Sequence, residues 1–234
     1  MYRGQVILVT GTSRGVGAAL AEYFLREGGF VEGCSRSPAT FSHANYHHSE
    51  VDVSSEFKVA AMFRDISYRH SKLDAVINNA GVLYQGFVVL SGKKALESVF
   101  ETNVYGTYLV CREAAKLMQR RQYGRIVNIG SIALKAKMAG NAIYTSSKGA
   151  TLELTKVLAK EVAPFNITCN MVAPGLVDTA MFRALSEKAK EKCMDQLAIK
   201  RVASIADLTN VIDFLFRKES SLITGQDICI GTIA

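Results

Sequence analysis

Ser131, Tyr144 and Lys148 lie within the run IGSIALKAKMAGNAIYTSSK, where a hydroxyl stands thirteen residues before a phenol and the phenol four residues before an ammonium. If residues 142–164 are helical, Tyr144 and Lys148 are i and i+4 neighbours on one face, and a cation held there favours the phenolate. A tyrosine, ordinarily near pKa ~10, then becomes usable as an acid or base near neutral pH. The Y-x-x-x-K pattern alone is weak, because it equally describes a solvated lysine beside a half-buried ring. A second motif upstream adds weight: in QVILVTGTSRGVGAALAEYFLREG an apolar run ends in a glycine-spaced turn and an amphipathic helix follows.

That turn, Thr10-Gly11-Thr12-Ser13-Arg14-Gly15-Val16-Gly17, places three glycines where backbone must bend and come close to a pyrophosphate. The N–H groups at the start of the following helix, together with its dipole, bind such an anion. The second strand ends Cys34-Ser35-Arg36-Ser37, at the position where NAD enzymes commonly carry an acid for the ribose 2′-hydroxyl. A hydroxyl, Ser35, and a guanidinium, Arg36, with Arg14 in the glycine loop, suit a 2′-phosphate instead, so NADP(H) is expected in preference to NAD(H). The competing reading makes Arg14 and Arg36 merely solvated.

The elements that must position these groups follow from periodicity. Short apolar runs at 5–10, 30–34, 46–51, 73–78, 124–130, 166–172 and 226–230 read as strands, and residues 15–28, 54–70, 92–120, 143–163, 179–196 and 204–217 as helices, with Ser54 and Ser204 as N-caps. Strands apolar on both faces need helices on both sides of a parallel sheet. The expected architecture is α/β and doubly wound, Rossmann-like, in a single domain over 1–234, with ligands at the carboxyl ends of the strands. Glu32 resists this scheme, since a carboxylate inside the second strand needs a partner and the sequence offers none in view.

Composition sets the bounds. The 234 residues are 49% hydrophobic with a net charge of +7, and the basic residues are spread thinly, which favours a general preference for anions over nucleic acid. No apolar stretch approaches the ~18 residues of a membrane span, and no signal-peptide layout precedes the first strand, so a cytoplasmic protein without membrane contact is expected. Cys34, Cys111, Cys169, Cys193 and Cys229 are odd in number and scattered, which favours buried thiols over disulfides. His43, His47 and His48 fall in the polar stretch SPATFSHANYHHSE and read as a solvated loop, with no metal site.

With these residues assembled, the chain resembles the short-chain dehydrogenase/reductase family in its compact form, and is similar to 3-oxoacyl-carrier-protein reductases. Thr-Gly-x-x-x-Gly-x-Gly stands at 10–17, Asn-Asn-Ala-Gly at 78–81, a helix asparagine at Asn103, and Pro-Gly-x-Val-x-Thr at 174–179, in the family's order. The resemblance implies that Tyr144 is the general acid for ketone reduction and the base for alcohol oxidation. Ser131 would hold the substrate oxygen, and Lys148 would lower the Tyr144 pKa and hold the nicotinamide ribose. Asn103 would position a water in a proton relay. It further assigns Asp52 and Val53 to the adenine end, Asn79, Ala80 and Gly81 to the sugar region, and Pro174, Gly175, Val177 and Thr179 to the nicotinamide. Asn78 is expected to tie strands together. The ending ITGQDICIGTIA lacks the family's common Val-Asp-Gly-Gly, which leaves the implied homodimer or homotetramer open.

Segments 83–89, 132–141 and 176–194 should wall the substrate pocket, contributing Leu83, Tyr84, Phe87, Leu134, Met138, Met181, Phe182 and Leu185. Lys135, Lys137, Arg183, Lys188, Lys190 and Lys192 would suit an apolar ketone or alcohol with an anionic handle, or a carrier-linked one, though a charged outer face of a lid helix explains them equally well. The leading expectation is an NADPH-dependent reductase of a 3-oxoacyl thioester or similar ketone. A sugar or secondary-metabolite dehydrogenase of the same family, and a non-catalytic NADP-binding sensor, are the alternatives.

Overall fold

The computed structural model describes residues 1–177, 187, 194, 195 and 197–231. Seven strands, β1 (Val6–Thr10), β2 (Phe30–Ser35), β3 (Tyr46–Glu50), β4 (Ala75–Asn78), β5 (Gly124–Ile129), β6 (Ile167–Pro174) and β7 (Asp227–Ile230), form one sheet in the order β3-β2-β1-β4-β5-β6-β7. Every pairing is parallel. The central strands β1, β4 and β5 are buried along their whole length, so both faces must be covered.

Among the described residues the α-helices are α1 (Gly15–Arg26), α2 (Glu56–His70), α3 (Lys93–Phe100), α4 (Thr107–Gln119), the short α5 (Ala133–Ala136), α6 (Ala142–Val162) and α7 (Ile205–Phe216). One core packs Val59, Phe63 and Ile66 of α2, Val110 and Met118 of α4, and Leu158 of α6 against Leu8, Val76 and Ile126. The other packs Leu20 and Phe24 of α1 and Ile212 and Phe216 of α7 against Ile7, Ile77 and Val127. Because β1 has β2 on one side and β4 on the other, the chain reverses its winding there, and a crevice opens at the carboxyl ends of β1 and β4.

Local chemistry departs from the sequence expectation in several places. The expected helix over 92–120 is interrupted by a π-helical stretch, Glu101–Gly106. The cap of α2 is Ser55, which accepts from Lys58 N, while Ser54 donates its amide and hydroxyl to Asp52 Oδ1. Ser204 does cap α7, in a reciprocal capping box with Asp207. The helix expected over 179–196 lies outside the described residues, apart from a few isolated positions.

Glu32 has partners after all. Its side chain is 2% exposed and receives Arg69 Nε at 3.0 Å, Arg69 Nη2 at 2.7 Å and His70 Nε2 at 2.8 Å from the last turn of α2, with His47 Nδ1 at 3.1 Å from β3. Burial pushes this carboxyl up, but the hydrogen bonds from Arg69 and His70 and the nearby charges of Arg69 and His47 outweigh it and hold the group below its ordinary range. His47 and His48 are therefore strand residues with partners; the solvated-loop reading is corrected for both. Cys34, Cys111 and Cys169 are buried free thiols and Cys229 is partly buried, while Cys193 lies outside the described residues. No helix among the described residues is long and apolar enough to cross a membrane.

Candidate active site

The glycine loop is fastened to β2 from below: the amides of Gly11 and Thr12 both donate to Cys34 O, at 2.7 and 3.2 Å. Gly17 is required by close approach, since a Cβ there would lie 2.2 Å from Gly11 O and 2.5 Å from Asn79 Nδ2. Helix α1 starts after Arg14, whose side chain makes no capping bond, and no acid occupies the first turn. The orphan amides of that turn thus face an exposed rim carrying Arg14 and Gly15, an arrangement that fits a phosphate. Ser13 is held by Thr40, whose hydroxyl donates to its carbonyl at 3.3 Å, and Val16 packs on the α1 core.

Asn79 lies beneath this loop. Its amide donates to Thr10 Oγ1 at 3.0 Å and its side chain to Thr10 O at 2.9 Å, while Ala80 N also reaches Thr10 Oγ1 at 2.9 Å. A Cβ on Gly81 would sit 3.3 Å from Asn103 Oδ1 and 3.8 Å from Lys148 Nζ, so this residue joins the loop to the reacting end of the crevice. Asn78 donates to Asn128 Oδ1 at 2.8 Å, tying β4 to β5 as expected.

At the end of β2, Arg36 is exposed and its charge acts on Asp52. Ser35 is buried and donates to Ser37 O at 2.6 Å, so its hydroxyl proton is already committed. Asp52 spends one oxygen on Ser54; burial raises its pKa, but the Ser54 amide and hydroxyl and the charges of Arg36 and Lys58 hold it below its ordinary range. Val53 is buried and abuts Gly106 in the π-helical stretch.

The reacting end is built from β5, α5 and α6. Ser131 follows β5 and accepts from Ala133 N at 3.1 Å, the turn that starts α5. Tyr144 and Lys148 share the first turns of α6, and Lys148 Nζ stands 5.9 Å from the Tyr144 ring centroid. Lys148 is buried and donates to Ile129 O at 2.7 Å; burial alone pushes its pKa down to about 8. Burial likewise pushes the Tyr144 phenol up, and only its hydrogen bond with Ser131 draws it back. The net shift of Tyr144 is therefore upward, opposite to the expected lowering, because burial outweighs the neighbouring groups and the ammonium is turned to the β5 carbonyl. Ser131, by contrast, acts on the phenol and lowers its pKa.

Asn103 sits in the π-helical stretch and is buried. Its Oδ1 accepts from Val82 N at 2.8 Å, and its Nδ2 donates to Val82 O and Ser147 Oγ, both at 3.0 Å. Its carbonyl accepts from Thr107 and Thr151 hydroxyls, at 2.8 and 3.1 Å. The side chain is thus a brace between the 81–82 segment and α6. Pro174 O accepts from Ile132 N at 3.0 Å and Gly175 N donates to Ile230 O at 2.9 Å, which holds the end of β6 beside Ser131. Val177 bridges to Ala203. Thr179, Met181, Phe182, Leu185, Arg183, Lys188, Lys190 and Lys192 lie outside the described residues.

A cavity of about 510 Å³ borders the start of α6, lined by Phe87, Val88, Val89, Met138 and Thr145 with Lys137 at its rim. It is not lined by Ser131, Tyr144 or Lys148 themselves. Of the expected wall, Phe87 and Met138 belong to it, and Leu83, Tyr84 and Leu134 do not.

Residues 5–190 match the family model for short chain dehydrogenases. The chain belongs to that family. Among relatives of this short-chain dehydrogenase, the 3-oxoacyl-[acyl-carrier-protein] reductase of Aquifex aeolicus is 33% identical, across 98% of this chain and 96% of the relative. The enzyme of that name from Escherichia coli K12 is 29% identical, across 98% and 97%. The solved structure of ElxO with NADP bound is similar at a TM-score of 0.90 and 29% identity, covering 97% of this chain and 96% of that one. An aldohexose dehydrogenase of Thermoplasma acidophilum matches at 0.89 and 28%, covering 97% and 92%. The short-chain dehydrogenase described here is an oxidoreductase acting on CH–OH or C=O groups with a nicotinamide cofactor.

Proposed function

We propose that this enzyme reduces the ketone of a 3-oxoacyl thioester, carried on a protein or a coenzyme, with NADPH preferred over NADH. The observation that carries the reading is the convergence of the Ser131 hydroxyl and the Tyr144 phenol at the end of β5, close enough for the hydroxyl to draw the phenol's pKa down, with the Lys148 ammonium 5.9 Å from the ring centroid. A bound nicotinamide supplies the hydride exchanged with the substrate carbon. Tyr144 gives its hydroxyl proton to the carbonyl oxygen, and Ser131 donates to the same oxygen, so negative charge never builds up there unpaired. Lys148 stands behind them as a buried cation, favouring the phenolate that proton transfer leaves. Asn103 keeps the 81–82 segment against α6 as a positioning residue, and the relay water remains part of the proposal.

Arg36 and Arg14 support the NADPH preference as exposed cations at the ribose and pyrophosphate ends. An apolar wall of Phe87, Val88, Val89 and Met138 favours an acyl body over a sugar, which would need polar partners there. The exposed Tyr105, Tyr108 and Val157 on the π-helical stretch, α4 and α6 support the homo-oligomer implied by the family, which light scattering would check.

The test is oxidation of NADPH and of NADH by a panel of 3-oxoacyl thioesters, set beside reduction of NADP+ and of NAD+ by a panel of hexoses. Turnover with the thioesters and NADPH supports the reading; activity confined to hexoses would replace it with the sugar dehydrogenase alternative. Arg36→Asp should weaken NADPH binding at least about tenfold more than NADH binding.

A further inference from the structure

His48 is the residue on which the ribose end of the crevice is assembled. It lies on the edge strand β3, outside every motif that points to this chemistry. Its Nε2 is 3.0 Å from Ser37 O and 3.2 Å from Ser35 Oγ, and its Nδ1 is 2.8 Å from Tyr46 Oη and 3.4 Å from Thr12 Oγ1. A carbonyl oxygen only accepts, so Nε2 carries the hydrogen and reaches across to the loop that follows β2. Nδ1 is then an acceptor and takes the Tyr46 phenol proton, which leaves the Thr12 hydroxyl, 3.0 Å from Tyr46 Oη, to donate to the phenol oxygen, and the ring links that loop to this hydroxyl pair at the glycine loop.

The surroundings are built for this contact. Thr12 is fully buried, and Phe41 stacks on Tyr46 with ring centroids 4.5 Å apart. A Cβ on Gly33 would meet Tyr46 Oη at 2.2 Å, so β2 has to carry glycine there for the phenol to enter. Arg36 stands between the two loop residues that His48 holds. A guanidinium discriminates a 2′-phosphate only if its backbone is fixed, because a swinging cation gives charge without geometry.

Resting on the NADPH reading above, we propose that His48 is a positioning residue for cofactor choice. By clamping Ser35 and Ser37 to the glycine loop it fixes Arg36 for the 2′-phosphate of the cofactor. It touches neither hydride nor proton transfer.

The experiment measures equilibrium binding of adenosine 2′,5′-bisphosphate and of 5′-AMP by calorimetry, with kcat and KM for NADPH, in wild type, Arg36→Ala, His48→Ala and His48→Gln. His48→Ala should weaken the bisphosphate about tenfold, leave 5′-AMP within about twofold and raise KM for NADPH with kcat unchanged. His48→Gln, whose amide can still donate to Ser37 O, should recover most of the loss. If Arg36→Ala lowers bisphosphate affinity but His48→Ala does not, the NADPH reading stands and the role of His48 is overturned. Equal losses for both nucleotides in His48→Ala, or no rescue by Gln, also overturn it. If wild type binds the two nucleotides equally and Arg36→Ala changes nothing, the NADPH reading fails and the role of His48 with it.

Discussion

Lys148 donates a 2.7 Å hydrogen bond to the carbonyl of Ile129, so this buried ammonium is anchored to the end of β5. Burial pushes its pKa down to about 8, within reach of ordinary assay conditions. Tyr144 is pushed the other way and stays protonated well beyond that point.

A pH profile follows from this pair. Ketone reduction needs Tyr144 protonated and Lys148 charged, so kcat/KM should be flat near neutrality and fall as pH rises past about 8. Lys148→Arg, which cannot lose its proton in this range, should abolish that limb even if overall activity drops. A limb that stays near pH 8 in the arginine variant would assign it to another group.

Glu32 governs acid stability at the β2–β3 edge. Its folded pKa lies below the unfolded value, so its stabilisation is complete above the ordinary glutamate range and disappears as pH falls through the depressed folded value. Glu32→Gln should cost about 3 kcal/mol in urea unfolding at pH 7, because Arg69 and His70 lose a charged acceptor. The deficit should shrink toward acid pH, where the wild-type carboxyl is itself neutral. A constant deficit from neutral to acid pH would mean packing alone is at stake.

Gly17→Ala tests the phosphate cradle. The added Cβ would meet Gly11 O at 2.2 Å, and relief requires the glycine loop to move. Cofactor affinity should drop roughly ten- to a hundredfold, as overpacking of about 1–3 kcal/mol implies, with a smaller effect on the melting temperature. Titration of the dinucleotide by fluorescence reads this directly.

The strands were legible because parallel strands buried on both faces leave unbroken apolar runs, as in VILVT at 6–10. The glycine turn and the Tyr144–Lys148 spacing were legible because backbone approach and helix periodicity constrain residue type at short range. What sequence could not show depends on contacts far apart in the chain. Glu32 finds Arg69 thirty-seven residues away, and Asn103 finds Ser147 forty-four residues away. The π-helical stretch inside 92–120, ETNVYG, is poor in strong helix formers, but low propensity does not say whether the chain breaks the helix or widens its winding. His48 carried no signal beyond its alternation with Tyr46 on a short strand, a pattern that pairs both side chains on one face. The direction of the Lys148 amine, toward Ile129 O, is likewise a property of the packed strand end that i,i+4 spacing does not fix.

The most direct measurement is turnover and cofactor binding in Tyr144→Phe, which removes one oxygen and keeps the ring. We expect kcat for ketone reduction to fall by about a thousandfold or more while the dissociation constant for the dinucleotide stays within about twofold. Turnover close to wild type would contradict the assignment of the proton to this phenol.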